Sequence, residues 1–220
     1  MTLALFGGRP FVANDDLDRS LIAAVGASQV AVLPTADAFE NPIALTVAAA
    51  DWAARLGVEA LPLMVLHRHE AEDPDIAGVI DAAKAVYLVG DSSMHLRSTL
   101  KDTAVFRSVE KVLERGGLVA AVGPSAAALC DPMLDQRGGA FTLGLGLATG
   151  LAVIPESETW SPERLHRTRS LANTPLIELP SGSAAIRTAT GWTVHGGAVV
   201  HGELPTAANP DISTERSGQI

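Results

Sequence analysis

The sequence predicts an α/β domain with three layers, in which helices cover both faces of a mostly parallel sheet and a β ribbon follows at the C-terminal end. Up to Leu129, apolar runs of strand length alternate with segments of helical spacing. The runs are continuously apolar, as expected for strands buried on both faces of a sheet. After Gly138 and Gly139 the pattern changes to short β segments separated by glycine and proline, which predicts the ribbon.

The first half of the chain supplies the predicted layers. Strands are predicted where apolar runs end at glycine, proline or a polar turn, at residues 3–6, 30–33, 58–66, 85–89 and 118–122. Helices are predicted where apolar residues recur at helical spacing, at residues 17–25, 41–56, 76–83, 94–100 and 105–114. Pro62 places its strand away from the sheet centre, and residues 67–75 read as a polar loop.

The second half predicts the ribbon and a single helix. The β segments fall at residues 151–154, 176–179, 184–188, 192–195 and 198–200. The helix, residues 162–171, begins behind Ser161 as its N-cap. Gly196 and Gly197 predict the turn of an antiparallel ribbon. Residues 1–202 are therefore predicted to form a single domain, and residues 203–220 a polar tail.

Composition narrows the function classes. Hydrophobic residues make up 47% of the chain and charged residues 19%, which is typical of a globular protein. The net charge of −9 argues against a nucleic-acid partner, since phosphate binding needs basic patches. No uncharged apolar run reaches the length of a membrane span, and the N-terminus lacks the basic start of a signal peptide. With Cys130 as the single cysteine, we expect a cytoplasmic protein.

The segment around Ser125 is the strongest candidate for chemistry. A buried strand at residues 118–122 meets Gly123, and Ser125 follows at the start of a stretch of small residues. A strand that turns sharply into a helix can expose a nucleophilic serine on a strained elbow. The pattern is G-x-S-x-A instead of G-x-S-x-G. The alternative is an ordinary strand–helix turn in which Ser125 caps the helix.

Several motifs in a fixed order extend this interpretation to nearly the whole chain. They are Leu5-Phe6-Gly7-Gly8, Leu33-Pro34-Thr35-Ala36, Val89-Gly90-Asp91-Ser92, Gly123-Pro124-Ser125-Ala126-Ala127-Ala128, Gly144-Leu145-Gly146-Leu147 and Trp192-Thr193-Val194-His195-Gly196-Gly197. In their order and spacing, the chain resembles the cyanophycinase and aspartyl dipeptidase (dipeptidase E) family of serine peptidases. That resemblance implies a flavodoxin-like fold of the class I glutamine amidotransferase type.

The resemblance also implies roles for individual residues. Ser125 would be the nucleophile of a hydrolase acting on small or acidic peptides, and the backbone N–H groups of Gly90 and Ala126 would form the oxyanion hole. Asp91 and Ser92 stand where the family contacts its substrate. Ser92 is shorter than the family's usual glutamine, and Val89 replaces a glycine.

The family's histidine aligns with residues 156–160, which contain no histidine. Glu156, Glu158 and Trp160 are therefore expected to line the substrate site. A carboxylate is a poor base for serine, because its ordinary pKa is about 4.3. His166 is the nearest downstream histidine and the candidate base, with Asp135 as candidate acid and Asp131 as its alternative. Arg164, Arg167 and Arg169 could bind a substrate carboxylate or form a solvated helix face.

Two function classes stay open. One is a serine peptidase-like hydrolase that uses Ser125. The other is a degenerate member of the family that binds a ligand or partner without catalysis, as Ala127, Val89 and the missing histidine indicate.

The remaining candidates predict no further chemistry. His67 and His69 lack a second ligand cluster, so neither metal nor cofactor is expected. His95 either lines the pocket or faces solvent, and His195 and His201 are expected to be structural. Cys130 is expected to be a buried packing thiol. The alanine-rich helices could pack against a second copy, so a homodimer is a further expectation.

Overall fold

The computed structural model describes residues 1–206. Its centre is a seven-stranded sheet in the order β13-β12-β1-β5-β4-β2-β3. These strands are β1 Thr2–Phe6, β2 Gln29–Leu33, β3 Glu59–Pro62, β4 Ala85–Leu88, β5 Leu118–Val122, β12 Ala184–Thr188 and β13 Gly191–His195. From β1 to β3 all neighbours are parallel, and β12 and β13 extend the sheet antiparallel. The predicted α/β class and mostly parallel sheet are confirmed.

Helices cover both faces of this sheet. The described residues form α1 Asp15–Ala24, α2 Pro42–Leu56, α3 Arg68–Ala71, α4 Pro74–Ala82, α5 Ser93–Leu100, α6 Ala104–Glu114, α7 Pro124–Leu129 and α8 Pro162–Leu171. α8 packs away from this sheet, against the smaller sheets that follow α7. α1 and α2 bury apolar side chains on one face, while α4, α5, α6 and α7 cover the other. Successive residues of β1 alternate between the two cores, with Leu3 and Leu5 in one and Ala4 and Phe6 in the other.

Smaller sheets follow α7. They contain β6 Cys130–Asp131, β7 Met133–Asp135, β8 Ala140–Thr142, β9 Ala148–Thr149, β10 Ala152–Pro155, β11 Leu176–Leu179 and β14 Val199–His201. β10, β11 and β14 form one sheet, whereas β6 pairs with β9 and β7 pairs with β8. The predicted turn at Gly196 and Gly197 does not join two paired strands, because β13 pairs with β12 and β14 pairs with β11.

Two further predictions differ from the structure. The third strand covers only Glu59–Pro62, as an edge strand, instead of residues 58–66. The loop predicted at 67–75 contains α3 and the start of α4, which Asp73 caps by accepting hydrogen bonds from the N–H groups of Asp75 and Ile76. The predicted tail, residues 203–220, lies mostly outside the described residues. Within residues 1–206, no helix combines the length and apolar character needed to cross a membrane.

A buried carboxylate ties α1 to α2 and to the sheet. Trp52 Nε1 and Tyr87 Oη donate hydrogen bonds to Asp18, over 3.0 Å and 2.8 Å. Burial raises the pKa of Asp18 from 3.8 to about 6, although both hydrogen bonds favour its ionised form. The rings of Trp52 and Tyr87 lie 5.1 Å apart, so the carboxylate is surrounded by aromatic side chains.

A second buried carboxylate joins α8 to β11 and β14. Arg169 donates to both oxygens of Glu178, with Nη2 at 3.0 Å from Oε2, and His201 Nε2 lies 2.8 Å from Oε1. Burial acts to raise the pKa of Glu178, but the bonds to Arg169 and His201 outweigh it and lower the pKa. The Glu178 side chain is 8% exposed, so this contact cross-links three elements inside the molecule.

Candidate functional site

The carboxyl ends of parallel strands converge at one edge of the sheet, where α/β proteins usually bind ligands. Gly7 and Gly8 follow β1, Gly90 and Asp91 follow β4, and Gly123 follows β5. The N–H of Gly123 donates to the carbonyl of Phe6 over 3.0 Å. Backbone hydrogen bonds therefore hold the ends of β1 and β5 together.

Gly123 makes the turn between β5 and α7. β5 ends at Val122 and α7 begins at Pro124, so a single residue makes the turn. Gly123 has φ 63° and ψ −136°, a combination that residues with a side chain adopt only under strain. A tight strand–helix turn is therefore present, but its left-handed residue is Gly123, which is buried, and not Ser125.

Ser125 lies two residues after Gly123, inside α7. Its side chain is fully buried, and its Oγ donates a hydrogen bond of 3.1 Å to the carbonyl oxygen of Gly90. Among the described residues, no histidine is hydrogen-bonded to this hydroxyl. Ser125 thus ties α7 to the loop after β4 in the folded structure.

A backbone hydrogen bond and close packing occupy the surroundings of Ala126 and Gly90, the two predicted oxyanion donors. The N–H of Ala126 donates to the carbonyl of Gly123 over 2.8 Å, so it is already paired. In an elbow site the residue after the nucleophile supplies an oxyanion donor, and here Pro124, which has no N–H, follows Gly123. Gly90 packs so closely that a Cβ would lie 2.4 Å from the backbone nitrogen of Asp37.

Glu156 faces the elbow from the end of β10. Its N–H donates to the carbonyl of Gly7 over 2.8 Å, and its backbone is left-handed, with φ 51°. Its side chain occupies the space that Gly8 leaves open, since a Cβ on Gly8 would lie 2.5 Å from Glu156 Cγ. A Cβ on Gly123 would lie 3.9 Å from Glu156 Oε1. The carboxylate is therefore the ionisable group next to the bare elbow.

Asp91 and Glu156 make this edge of the sheet acidic. Partial burial raises the pKa of Glu156, and the charges of Asp91 and Glu158 raise it further. Partial burial also raises the pKa of Asp91, helped by Asp37 and Glu40. Like charges disfavour ionisation in each case, so a cation placed between the carboxylates would be stabilised.

A cavity of about 150 Å³ adjoins Asp91. Its lining consists of Asp91, Ser92, Ser93, Met94, Asp135, Gln136 and Arg137. Ser92 is the N-cap of α5, because its Oγ accepts a hydrogen bond from the N–H of His95 over 3.2 Å. Asp91 lines the cavity and its charge raises the pKa of Glu156, whereas Gly123 and Glu156 do not line the cavity themselves.

Asp135 pairs with an arginine instead of a histidine. Arg137 Nε and Nη2 each donate to its carboxylate over 3.2 Å, and this lowers the pKa of Asp135. The alternative acid, Asp131, accepts a hydrogen bond from the N–H of Gly144 over 3.3 Å. His166 lies on the exposed face of α8. The structure therefore does not bring Ser125, His166 and Asp135 together as a hydrogen-bonded triad.

The arginines of α8 hold protein groups. Arg164 donates to the carbonyl of Gln136 and lies 3.4 Å above the ring of Trp160, while Arg167 donates to the carbonyl of Gly138. Both arginines therefore bind the backbone of the turn between β7 and β8, on which Arg137 lies. Trp160 is 8% exposed and belongs to a small apolar core, so it packs beneath Arg164 instead of lining the cavity.

Glu158 and the histidines also have protein partners. The N–H of Ser181 donates to Glu158 over 3.1 Å, and although burial acts to raise the pKa of Glu158, its hydrogen bonds lower it. His95 Nε2 lies 2.8 Å from the carbonyl oxygen of Leu66, and its ring contacts Phe39 at a centroid distance of 4.7 Å. Across residues 1–206, no three His, Cys, Asp or Glu side chains are placed to hold a metal ion.

The chain matches no family model and no curated protein. It is similar to a solved peptidase from an acI-B1 Actinobacterium, with a TM-score of 0.80 and 26% identity over 91% of this chain and 89% of that one. The chain has a peptidase fold. A putative Peptidase E protein from Listeria monocytogenes EGD-e matches with a TM-score of 0.66 and 14% identity, over 91% of this chain and 97% of that one.

Within this peptidase fold, Gly123 is the candidate-site residue that the sequence motif did not single out. A local signal was present, because proline is favoured at the first position of a helix and glycine where φ is positive. Pro124 and Gly123 together place the turn before Ser125. Cys130 was correctly expected to be buried, and its Sγ lies 3.6 Å from the carbonyl of Ala126.

Proposed function

We propose that this chain binds a small amine-bearing ligand at the elbow and does not form a covalent intermediate there. The observation that carries the proposal is the pairing of Gly123 with the Glu156 carboxylate. A hydrolase of the nucleophile-elbow type needs a hydroxyl or thiol at the first position and a base beside it. In this chain the first position is Gly123, which has no side chain, and the group beside it is the Glu156 carboxylate.

The chemistry of the edge favours a cationic group. The charge of Asp91 raises the pKa of Glu156, and the charges of Asp37 and Glu40 raise the pKa of Asp91, so an ammonium group would relieve repulsion at this edge. The Arg137 guanidinium on the cavity wall would suit a carboxylate on the same ligand. A cavity of about 150 Å³ has the size of a single amino acid and not of a long peptide.

A serine peptidase-like hydrolase acting on small or acidic peptides is the second candidate. The likeness to the solved actinobacterial peptidase favours it. It would use Ser125 as nucleophile, His166 as base and Asp135 as acid, with Gly90 and Ala126 as oxyanion donors. Ser125 would first have to leave its buried hydrogen bond with the Gly90 carbonyl.

Reaction with a fluorophosphonate probe, read by intact mass, separates the two candidates. We expect no adduct on the folded protein, whereas a serine hydrolase would be labelled and would lose the label in Ser125→Ala. Such a loss would establish the second candidate. Circular dichroism of both proteins checks that they are folded.

Binding is tested by measuring the midpoint of thermal unfolding with and without L-lysine. Saturating L-lysine should raise the midpoint, because a ligand that binds only the folded state stabilises it. Glu156→Gln should remove most of that shift. Glu163→Gln, which changes an exposed glutamate on α8, should keep it. An equal shift for both variants would contradict binding at the elbow.

A further inference from the structure

A second cavity, of about 510 Å³, lies where α8 ends and β11 begins. It is lined by residues 172–176 and by residues 201–203, at the end of β14. These described residues are all different from those that line the cavity beside Asp91. The volume falls within the range of about 300–1,000 Å³ that is typical of small-molecule sites.

The buried Glu178 carboxylate fixes one side of the His201 ring. His201 Nε2 lies 2.8 Å from Glu178 Oε1, and the Arg169 guanidinium donates to both oxygens of the same carboxylate. A carboxylate that is paired with a guanidinium is ionised, and an ionised carboxylate only accepts hydrogen bonds. His201 Nε2 must therefore donate, and in a neutral imidazole the other nitrogen, Nδ1, is then an acceptor.

The Nδ1 atom of His201 is available to a ligand. The side chain is 36% exposed and lines the cavity, and within residues 1–206 its ring is hydrogen-bonded only through Nε2. A carboxylate that accepts one ring N–H orients the second nitrogen of a histidine. Residues 1–206 hold no group of three side chains that could bind a metal ion, so a hydrogen-bond donor fits this nitrogen better than a metal.

Other groups around the cavity accept hydrogen bonds or carry negative charge. Glu203 adds a carboxylate, and Thr174 adds a hydroxyl that is buried without a partner among residues 1–206. α8 ends at Leu171, and the carboxyl end of a helix carries partial negative charge. Pro175, four residues after Leu171, has no N–H to pair with the Leu171 carbonyl. The described lining contains neither lysine nor arginine, so the cavity favours a cation.

We propose that this cavity binds a small ligand bearing a guanidinium group, through His201 Nδ1 and the Glu203 carboxylate. A guanidinium is planar, always charged and rich in N–H donors, so one group can bond to several acceptors at once. It is also weakly hydrated, which lowers the cost of removing it from water. Neither Glu156 nor Asp91 lines this cavity, so the site is separate from the ligand site beside Gly123.

Nuclear magnetic resonance of 15N-labelled protein tests the site at about pH 8, above the ordinary histidine pKa of about 6.5. Long-range 1H–15N spectra should show a proton on His201 Nε2 and none on Nδ1 before any ligand is added. Methylguanidinium chloride should then shift the Nδ1 resonance until the site is saturated. Tetramethylammonium chloride carries the same charge but no N–H donor, and it should leave this resonance in place.

Two variants measure the contribution of each side chain, with the backbone amide resonance of Gly202 as the readout. His201→Phe should raise the dissociation constant of methylguanidinium about 10-fold or more, because it removes a hydrogen bond to a charged group. Glu203→Gln should raise it about 2- to 5-fold, as expected for an exposed charge pair. His195→Phe is the matched control, since His195 is an exposed histidine on β13, and it should keep the affinity of the unchanged protein.

A proton on Nδ1 in the free protein would overturn the proposal, as would the absence of a saturable shift or equal shifts with both cations. Equal effects of His201→Phe and His195→Phe would overturn it too. Circular dichroism checks that each variant is folded. Glu156→Gln should leave methylguanidinium binding at His201 unchanged, whatever it does to the binding of L-lysine. The outcome therefore tests this cavity independently of the ligand site beside Gly123.

Discussion

The Glu156 carboxylate faces Gly123 across the end of the sheet, where a Cβ on Gly123 would lie 3.9 Å from Glu156 Oε1. The gap is wide enough for a side chain, yet the chain places none there. Gly8 gives room to Glu156, and Gly7 holds its backbone through a hydrogen bond of 2.8 Å. The two glycines at the end of β1 thus position the Glu156 carboxylate beside Gly123.

Gly123→Ala should destabilise the fold through the backbone. At φ 63° and ψ −136° an alanine is strained, which costs about 1–3 kcal/mol. Urea unfolding measures the difference. Gly78→Ala is the control, because Gly78 lies inside α4 with open space around it, and alanine there should stabilise by about 0.5–1 kcal/mol. If Gly123→Ala left the free energy of unfolding unchanged, the backbone of this turn would have to relax to accept the alanine.

Ligand binding should weaken on acidification before ordinary glutamates titrate. Glu156 must be ionised to attract an amine, and burial together with Asp91 and Glu158 raises its pKa. Affinity for L-lysine should therefore rise as pH increases through this raised pKa. Titration calorimetry at a series of pH values measures the profile. Glu156→Gln should bind more weakly and with a flatter profile, and an unchanged profile would place the ligand elsewhere.

Asp18 should make the free energy of unfolding fall as pH rises, which is the opposite of the effect of most paired carboxylates. Its pKa is about 6 when folded and 3.8 when exposed, so the folded state holds the proton more tightly. The difference corresponds to about 3 kcal/mol of stability that is present below about pH 4 and is lost as pH rises through about 6. Urea unfolding from about pH 4 to about pH 7 measures this loss.

Asp18→Asn should flatten this dependence, since asparagine does not ionise. Asp16→Asn, a change of a fully exposed aspartate on the same helix, should leave it as it is in the unchanged protein. If Asp16→Asn flattened the curve as much, the buried carboxylate would not be its source.

Arg169→Met should destabilise the contact among α8, β11 and β14. It removes the guanidinium that donates to both oxygens of buried Glu178 and leaves His201 as a partner. We expect a loss of about 2 kcal/mol in urea unfolding. Arg19→Met breaks an exposed pair with Asp16 and should cost less than about 1 kcal/mol. Equal losses would show that Glu178 finds a replacement partner.

The layered fold could be read from the sequence because its signals are local. The strand at 118–122 and the helix at 162–171 have the bounds that the sequence predicted, since an apolar run ending at glycine and a Ser-Pro start are unambiguous. Strand partners were harder to predict. His201 lies on β14, which pairs with β11, and its side chain contacts buried Glu178 of that strand, a partner that the nearby glycines do not indicate.

The site was less predictable because a motif fixes residue types but not the backbone. Ser125 fits the pattern of a nucleophile, yet the helix starts at Pro124 and turns the serine inward to the Gly90 carbonyl. Arg164 and Arg167 were open to substrate binding, and both are used to hold the turn that precedes β8. Such tertiary partners carry no signal in the local sequence.

The placement of β1 has a consequence for synthesis of the chain. β1 lies between β5 and β12, so it pairs only with strands that are synthesised much later than itself. Until residues 184–188 have emerged, one edge of β1 is open to other chains. Folding is therefore dominated by contacts far apart in sequence, which slows it and favours completion after translation.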